Sequence, residues 1–501
     1  MLEATVATPL SEIKRAIEVA LGPGSVELVG DAETPIVGVT EDSRRAAPGC
    51  LFVAKVGSGK DGSSFVDAAL AKGAVAVLAH ADAGVSFVPR LIVSDVKLAL
   101  AHATEFLAGS PSRKLSLVGI TGTNGKTTTA ALVTQALLLA GRKVARLGTL
   151  GLFIGEHHAR DTLTTPGPEE LSECLRLAVQ AGVTDFVMEV SSHALAQDRV
   201  GGVSFTVAAL SNLSQDHLDY HGSMAEYGAA KARLFERGPK ASVINVADVF
   251  GRELAGRTPG ALRVSLDPTQ PADVLATEVQ LSQSGIVLAV SACGQNVVLA
   301  SPLLGEFNAE NLMLSLGILI CLGLTPEQAA LHLAKATAVP GRLERIDEPA
   351  DDVVALVDYA HTPDAVARVI DMARALAPSH IVCVLGCGGD RDRGKRPLMG
   401  RAAAEGADEV WITTDNPRSE DPAQIAREVL AGTSTGRAQV HVELDRRQAI
   451  KRAVFAAPPG AMVLVLGKGH ETYQLVGPNV LDFDDRLEVK SALMGRREGN
   501  S

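Results

Sequence analysis

A chain of 501 residues with 46% hydrophobic and 21% charged side chains can build two to four separately cored domains, which excludes global disorder. Aromatic residues make up only 3%, so Ala, Val, Leu and Gly carry the apolar content, a mixture suited to parallel strands packed on helices and not to an all-β sandwich. The formal charge of −11 argues against a nucleic-acid partner but not against anionic small molecules, which need only a few local cations.

Met1-Leu2-Glu3-Ala4 has no basic region followed by an apolar core, so no signal peptide is expected. Residues 1–96 mix short strands with glycine-rich turns: strands at Leu51–Ala54 and Val75–Leu78, and a helix from Val66 to Lys72 closed by Gly73. A helix from Val96 to Leu107 leads into the break Gly109-Ser110-Pro111-Ser112. Strand–loop–helix alternation then begins. Leu115–Ile120 is an apolar run, Lys126–Ala140 a helix ended by Gly141, and Val144–Leu147, Phe186–Val190, Val207–Leu210 and Val243–Val246 are further buried strands. The most apolar stretch, Leu312–Leu324, is too short to span a bilayer, so no membrane insertion is expected and the expected location is the cytoplasm.

After Pro340-Gly341 the alternation repeats. Strands are expected at Val353–Val357, Ile381–Leu385, Glu409–Thr413, Val440–Glu443 and Met462–Leu466, with helices at Asp364–Leu376, Pro397–Glu405, Pro422–Leu430 and Arg446–Phe455. The expected fold class is therefore α/β in three domains: a smaller N-terminal α/β domain (1–96), a central P-loop-type parallel-sheet ATPase domain (97–340) and a C-terminal doubly wound, Rossmann-like domain (341–501). Six cysteines lack paired metal-ligand spacing and read as reduced structural thiols.

Chemistry enters at Gly119-Ile120-Thr121-Gly122-Thr123-Asn124-Gly125-Lys126-Thr127-Thr128, between a strand and a helix. There, backbone N–H groups and a helix N-terminus converge on an anion. Five residues separate Gly119 from Gly125 where the usual Walker A has four, but Gly122-x-x-Gly125-Lys126-Thr127 is intact. This predicts ATP bound by Gly122–Thr128, with Lys126 at the β/γ-phosphates and the Thr127 hydroxyl toward Mg²⁺. A phosphate loop alone does not separate kinase, switch and ligase. Met188-Glu189-Val190-Ser191-Ser192-His193 and Asn212-Leu213-Ser214-Gln215-Asp216-His217 follow later strands, at the sheet end where open α/β folds bind ligands. Glu189 and His217 are reasonable metal ligands there; singly, each reads more readily as an ordinary satisfied polar residue.

The loop, Glu189-Val190-Ser191-Ser192-His193, Asp216-His217-Leu218-Asp219-Tyr220-His221-Gly222 and Lys231-Ala232-Arg233-Leu234-Phe235 together resemble the Mur ligase family. So do Asp42-Ser43-Arg44, Leu163-Thr164-Thr165-Pro166, Gly305 to Asn311, Pro340-Gly341-Arg342 and Asp358-Tyr359-Ala360-His361-Thr362-Pro363, in the family's order along almost the whole chain. The resemblance implies an ATP- and Mg²⁺-dependent amide ligase of peptidoglycan precursor synthesis, acting as a monomer. It would add meso-diaminopimelate to the D-glutamyl γ-carboxylate of a UDP-N-acetylmuramoyl-dipeptide through an acyl phosphate.

It also implies roles. Glu41, Ser43 and the Ser58-Gly59-Lys60 loop would hold the uridine end, although that loop departs from the family's usual variants. Thr164, Thr165, Ser191, Gln197 and Arg199 would surround the pyrophosphate, sugar and peptide arm. Lys126, Lys231, Glu189 and His217 would be catalytic, with Thr127, Glu189, His217 and Lys231 at the metal and Lys231 carrying a carbamate. Read from the sequence alone, Lys231 is an ordinary solvated helix lysine. Asn308, Arg342 and Asp358 would help place the nucleotide. Arg391, Asp415, Asn416, Pro417, Arg418, Gly467 and Glu471, in loops after three predicted parallel strands, would receive the amino acid, with Arg418 pairing the distal carboxylate. No side chain is an obvious general base for the amine. The same ligase reaction with L-lysine is the near alternative; a P-loop kinase or switch protein, or a nucleotide-binding module without chemistry, are the distant ones.

Overall fold

The computed structural model describes residues 1–55, 61–81 and 88–499, and the Ser58-Gly59-Lys60 loop lies outside them. Two compact units emerge. The first comprises Met1–Glu278, Ala289–Leu299 and Glu310–Ala336, the second Val279–Leu288, Ala300–Ala309 and Thr337–Ser501.

The first unit holds two sheets. The N-terminal one has four central parallel strands, Pro35–Thr40, Cys50–Ala54, Ala76–Ala79 and Arg90–Val93, edged antiparallel by Leu2–Pro9 and Val26–Val29. Helices Leu10–Leu21 and Val96–Leu107 share its larger core, where Leu10, Ile13 and Ile17 meet Ala99, Leu100 and Ala103. The period of Leu10, Ile13 and Ile17 is that of one helical face. Asp95 caps the second helix by accepting from the Leu98 N–H.

The second sheet of this unit runs Val144–Gly148, Asp185–Glu189, Ser116–Thr121, Val207–Leu210, Ala241–Asn245 and Leu262–Ser265, all parallel. Asp185–Glu189 and Val207–Leu210 flank Ser116–Thr121 on either side, so their carboxyl ends deliver residues 189–193 and 211–217 beside the Gly122–Gly125 loop. These strands read as unbroken apolar runs because both faces are covered. An antiparallel hairpin, Gly151–Ile154 with His157–Arg160, extends the Val144 edge.

In the second unit, Val354–Asp358, Met462–Leu466, Ile381–Cys387, Glu409–Thr414 and Gln439–Val442 pair in that order, all parallel, with Glu344–Arg345 antiparallel at one edge. One face packs on helices Pro363–Ala375, Lys395–Gly406 and Pro422–Leu430, the other on Arg446–Ala456 and Asp485–Gly499. The fold is the expected α/β class. The helix expected to open at Pro397 opens instead at Lys395, because a first-turn proline has no N–H to satisfy. Among the described residues no helix is long and apolar enough to cross a membrane. All six cysteines are unpaired thiols.

Candidate active site

Between strand Ser116–Thr121 and helix Lys126–Leu139, the Gly122–Gly125 loop is shaped by two glycines that no other residue replaces easily. Gly122 sits at φ 145°, where a β-carbon would run into Ser211 Oγ; Gly125 sits at φ 85°, where it would strike Asn311 Oδ1. The Asn124 N–H donates to Asn212 Oδ1 (2.9 Å), and Ser211 Oγ donates to the Asn124 carbonyl (2.5 Å). Lys126 Nζ donates to the carbonyls of Gly122 and Thr123, both at 2.8 Å, so the cation is held against the loop's own main chain. Thr128 is half-buried in the first turn of the helix.

Glu189 ends its strand with only 2% exposure and ties three segments together. Its Oε2 accepts from Thr127 Oγ1 (2.9 Å) and Thr149 Oγ1 (3.2 Å), and its Oε1 from the Thr149 N–H (2.9 Å). Its main-chain carbonyl accepts from Thr165 Oγ1 (2.9 Å), which in turn accepts from the Ser191 N–H (3.0 Å). Thr164 Oγ1 shares a hydrogen bond with Thr149 Oγ1 (3.2 Å). Ser191 caps the short helix Ser192–Ala196 by accepting from the Ala194 N–H.

Lys231 departs from the solvated helix lysine that its local sequence suggests. Helix Met224–Glu236 buries it to 1% exposure, its Nζ donating to the Gly122 carbonyl (2.8 Å) and lying 4.2 Å over the Tyr227 ring. Burial, and then the nearby charge of Lys126, hold its ammonium well below the ordinary lysine range. Tyr227 shares a hydrogen bond with Thr123 Oγ1 (3.2 Å), and burial pushes its phenol up to about 12. His217, at φ 52°, lies in an aromatic cluster: its ring is 4.8 Å from His193 and 6.2 Å from Tyr227, and His221 Nε2 meets Ser192 Oγ at 2.9 Å. Burial lowers both His193 and His221.

Among the described residues, no group of three or more His, Cys, Asp and Glu side chains is arranged to hold a metal on its own. The donor set beside the loop, one carboxylate and one threonine hydroxyl, instead suits a hard cation that keeps phosphate oxygens and waters as its other ligands, as Mg²⁺ does. Loop amides, Lys126 and this donor set fit a nucleotide triphosphate with that cation.

A cavity of about 440 Å³ lies in the same unit, with Glu41, Lys55, Lys97, Gln197, Arg199 and Tyr220 among its walls. Lys55 Nζ donates to Glu41 Oε2 (2.5 Å), and Gln197 Nε2 donates to Tyr220 Oη (3.0 Å). Arg199 donates to the Thr165 carbonyl through Nη1 (2.8 Å) and to Gln197 Oε1 through Nε and Nη2 (3.1 and 2.8 Å). Glu169 accepts from the Glu41 N–H (2.7 Å), fixing that residue from below. Ser43 opens a 3₁₀ turn capped by Asp42 and is not a wall of the cavity.

In the second unit the expected amino-acid residues gather at one rim. Asp415 and Asn416 are buried, and Lys468, with no exposure at all, reaches Asp415 Oδ1 (3.5 Å), Asn416 Oδ1 (3.2 Å) and Glu471 Oε2 (3.3 Å). Asn416 Nδ2 donates to Glu471 Oε2 (2.8 Å). Arg418, at φ 52°, is pinned by main-chain bonds to Leu475 and Gly477, and its Nη1 donates to the Gly389 carbonyl (2.7 Å). Pro417 is buried; Arg391 is exposed, its Cγ 3.9 Å from a β-carbon placed on Gly388, which also approaches Arg418 Nη1. The Gly467 N–H donates to the Asp358 carbonyl (3.1 Å). Asp358 accepts from the Leu343 and Ala360 amides, both at 2.8 Å, and burial raises its carboxyl; the Arg342 guanidinium stacks 4.9 Å from the Tyr359 ring. Asn308 is buried and donates to the Leu304 carbonyl (2.9 Å).

Sequence reasoning missed Lys55, Lys97, Thr149, Glu169, Tyr220, Tyr227 and Lys468. Of these, Lys468 carried a signal, a lysine between two glycines directly after a predicted strand. Tyr220 lies within the Asp216–Gly222 segment and Tyr227 four residues before Lys231, where neither was given a role; Lys55, Lys97, Thr149 and Glu169 belong to no local pattern.

Three family models match the chain. The Mur ligase family catalytic domain covers residues 35–108, the Mur ligase middle domain 120–319 and the Mur ligase glutamate ligase domain 341–469. A protein of Solibacter usitatus named UDP-N-acetylmuramoyl-L-alanyl-D-glutamate–2,6-diaminopimelate ligase is 43% identical over 471 residues, 93% of this chain and 94% of its own. The protein of that name from Geobacillus thermodenitrificans is 40% identical over 92% and 96%. A solved structure of a ligase of that name has a TM-score of 0.73 at 34% identity, covering 98% of this chain and 99% of its own. Folylpolyglutamate synthase of Mycobacterium tuberculosis complexed with ADP, at 21% identity, covers 74% of this chain with a TM-score of 0.58 and shares the fold. On these matches and this architecture, the chain belongs to the Mur ligase family.

Proposed function

We propose that this chain is the ATP-dependent ligase that joins meso-2,6-diaminopimelate to the D-glutamyl γ-carboxylate of UDP-N-acetylmuramoyl-L-alanyl-D-glutamate in peptidoglycan precursor synthesis. The observation that carries the reading is the sharing of Glu189 between the phosphate loop and the segment 164–165, which leads into the wall of the Arg199 cavity. Relatives of about 40% identity along nearly the whole chain bear the name of that ligase. When bound, ATP supplies the phosphoryl group that activates the carboxylate as an acyl phosphate, and Mg²⁺ would be held by Thr127, Glu189, His217 and Lys231 as its carbamate.

The chain's own residues then do the following. The Gly122–Gly125 amides and Lys126 neutralise the phosphates, a contribution typically worth factors of about 10²–10³ in rate for a single preorganised donor. Arg199 and Gln197, braced on each other, orient the precursor's anionic arm, and Glu41 and Ser43 receive its uridine end. A lysine whose ammonium is disfavoured by burial presents the free amine that adds CO₂, which supports carbamylation of Lys231. Asn308, Arg342 and Asp358 help place the nucleotide. Arg391, Asp415, Asn416, Pro417, Arg418, Gly467 and Glu471 receive the diamino acid, whose extra carboxylate relative to lysine calls for the Arg418 guanidinium. We assign precursor, nucleotide and amino-acid binding to residues 1–96, 97–340 and 341–501. Because ATP and nucleotide-linked sugars are cytoplasmic metabolites, we take the cytoplasm as the site of action and the monomer as the working form.

Phosphate release by the purified chain, measured with the UDP-dipeptide and a panel of amino acids, tests the reading. Turnover should require both the dipeptide and meso-diaminopimelate. Equal turnover with L-lysine would replace the acceptor, and turnover without any amine would replace the ligase by a kinase or hydrolase.

A further inference from the structure

Helix Arg446–Ala456 and the C-terminal helix Asp485–Gly499 begin with two residues that meet beneath the rim of the second unit's sheet. Arg446 and Asp485 have no exposed side-chain surface. They pair through both carboxylate oxygens, Nε to Oδ1 at 2.7 Å and Nη2 to Oδ2 at 2.6 Å. The same guanidinium spends two further donors on main chain: Nη1 on the Thr414 carbonyl (3.2 Å) and Nη2 on the Leu466 carbonyl (3.0 Å).

Those two carbonyls belong to the last residues of strands Glu409–Thr414 and Met462–Leu466. Both strands flank Ile381–Cys387, so they are not neighbours of each other, and no ladder bond joins their ends. The next residues are Asp415 and Gly467, the roots of the two rim loops. Above, the loops are tied by Asn416, Lys468 and Glu471. Below, they are tied by Arg446 alone among the described residues that bond both carbonyls. A buried ion pair is weak evidence for stability, since apolar residues of similar volume would serve that end as well. A planar fork that bonds a carboxylate and two strand-end carbonyls at once does something apolar residues cannot: it fixes a separation.

We propose that Arg446 and Asp485 are positioning residues for the amino-acid site. Arg446 sets the spacing between the roots of loops 415–418 and 467–471, and Asp485 sets the plane of the guanidinium. Recognition of the diamino acid therefore depends on the helix that Asp485 opens, through a pair with no exposed side-chain surface. The proposal rests on the assignment of those loops to the acceptor.

Steady-state kinetics of the full chain, varying each of the three substrates in turn, test it with three variants. Arg446→Lys keeps the charge but loses the fork, and the double variant Arg446→Met/Asp485→Leu removes both charges at similar volume and keeps the fold. Both should raise KM for meso-diaminopimelate at least about tenfold while KM for ATP and for the UDP-dipeptide stays within about twofold. The double variant should show this with its melting temperature preserved. A fall in kcat with all three KM values unchanged, a uniform rise in all three, or failure of both variants to fold would make the pair a stability element and overturn the proposal. The third variant, Arg418→Ala, reads the underlying assignment. If it leaves the diamino-acid KM unchanged, the loops are not the acceptor site. If it raises that KM and the other two variants do not, the positioning role alone fails.

Discussion

Arg418→Ala is the sharpest perturbation available, because the backbone at this residue is already fixed. With φ at 52° and main-chain bonds to Leu475 and Gly477, alanine meets the same left-handed strain as arginine, so the substitution changes the side chain and little else. Two losses follow. The bond from Nη1 to the Gly389 carbonyl goes, at about 1 kcal/mol, and any acceptor feels that loss equally. Removing one partner of a desolvated charge pair costs about 2–5 kcal/mol, and the half-buried setting of Arg418 argues for the lower part of that range, about 2–3 kcal/mol. Only an acceptor with a distal carboxylate pays the second cost. The loss in kcat/KM for meso-diaminopimelate should be about 140- to 700-fold, against about fivefold for L-lysine, narrowing their ratio by about 30- to 140-fold. Initial-rate phosphate release with each amino acid, in wild type and variant, gives the four values needed. Equal proportional losses for both acceptors would refute the reasoning and make Arg418 a loop brace.

Lys126→Ala should reduce phosphate release by at least about 10²-fold with the melting temperature little changed, since a cation over an anion site is lost and no core is opened; near-normal rates would displace the loop assignment. Lys231→Ala should lose most activity and regain part of it with added short carboxylates, and intact mass of the wild type under CO₂ should show the adduct; a bare amine under those conditions would contradict the carbamate. His102 is held down from 6.5 to about 4 by burial and then by Arg237, so the unfolded chain takes up its proton first. Stability should therefore fall as pH drops from 6.5 towards about 4, and His102→Gln should flatten that limb in denaturation midpoints measured across pH; an unchanged slope would exclude His102 as its source.

The parallel strands were legible because burial on both faces leaves continuous apolar runs, and the phosphate loop because its glycines and lysine are contiguous. The Arg391, Asp415 and Glu471 loops could be assigned to one rim, since strand ends of one parallel sheet share a side. Helix Leu10–Leu21 was not read, although its buried face is regular, because it begins after Pro9 with no side-chain cap. The C-terminal helix, opened by Asp485 and dense in charge, reads locally as a solvated segment; its value lies in the partner of Asp485, thirty-nine positions away. Lys231 shows the same limit. A lysine on an alanine-rich helix reads as surface, and only the packing of that helix on the phosphate loop buries it.

The three-way use of Glu189 bears on how an inactive form should be made for trapping bound states. An isosteric Glu189→Gln would have to aim its carbonyl at the Thr149 amide, since an amide nitrogen there would oppose a donor. Its NH₂ group would then face the hydroxyls of Thr127 and Thr149, which must turn from giving a proton to receiving one. Thr127 would commit one of its two lone pairs to the new amide and keep the other for a cation, so a change of one atom would remove one carboxylate oxygen and reorient a second donor. A complex captured with that variant would show a nucleotide pocket poorer in ligands than the native one. Lys126→Ala, which leaves the threonines oriented as they are, is the more faithful decoy.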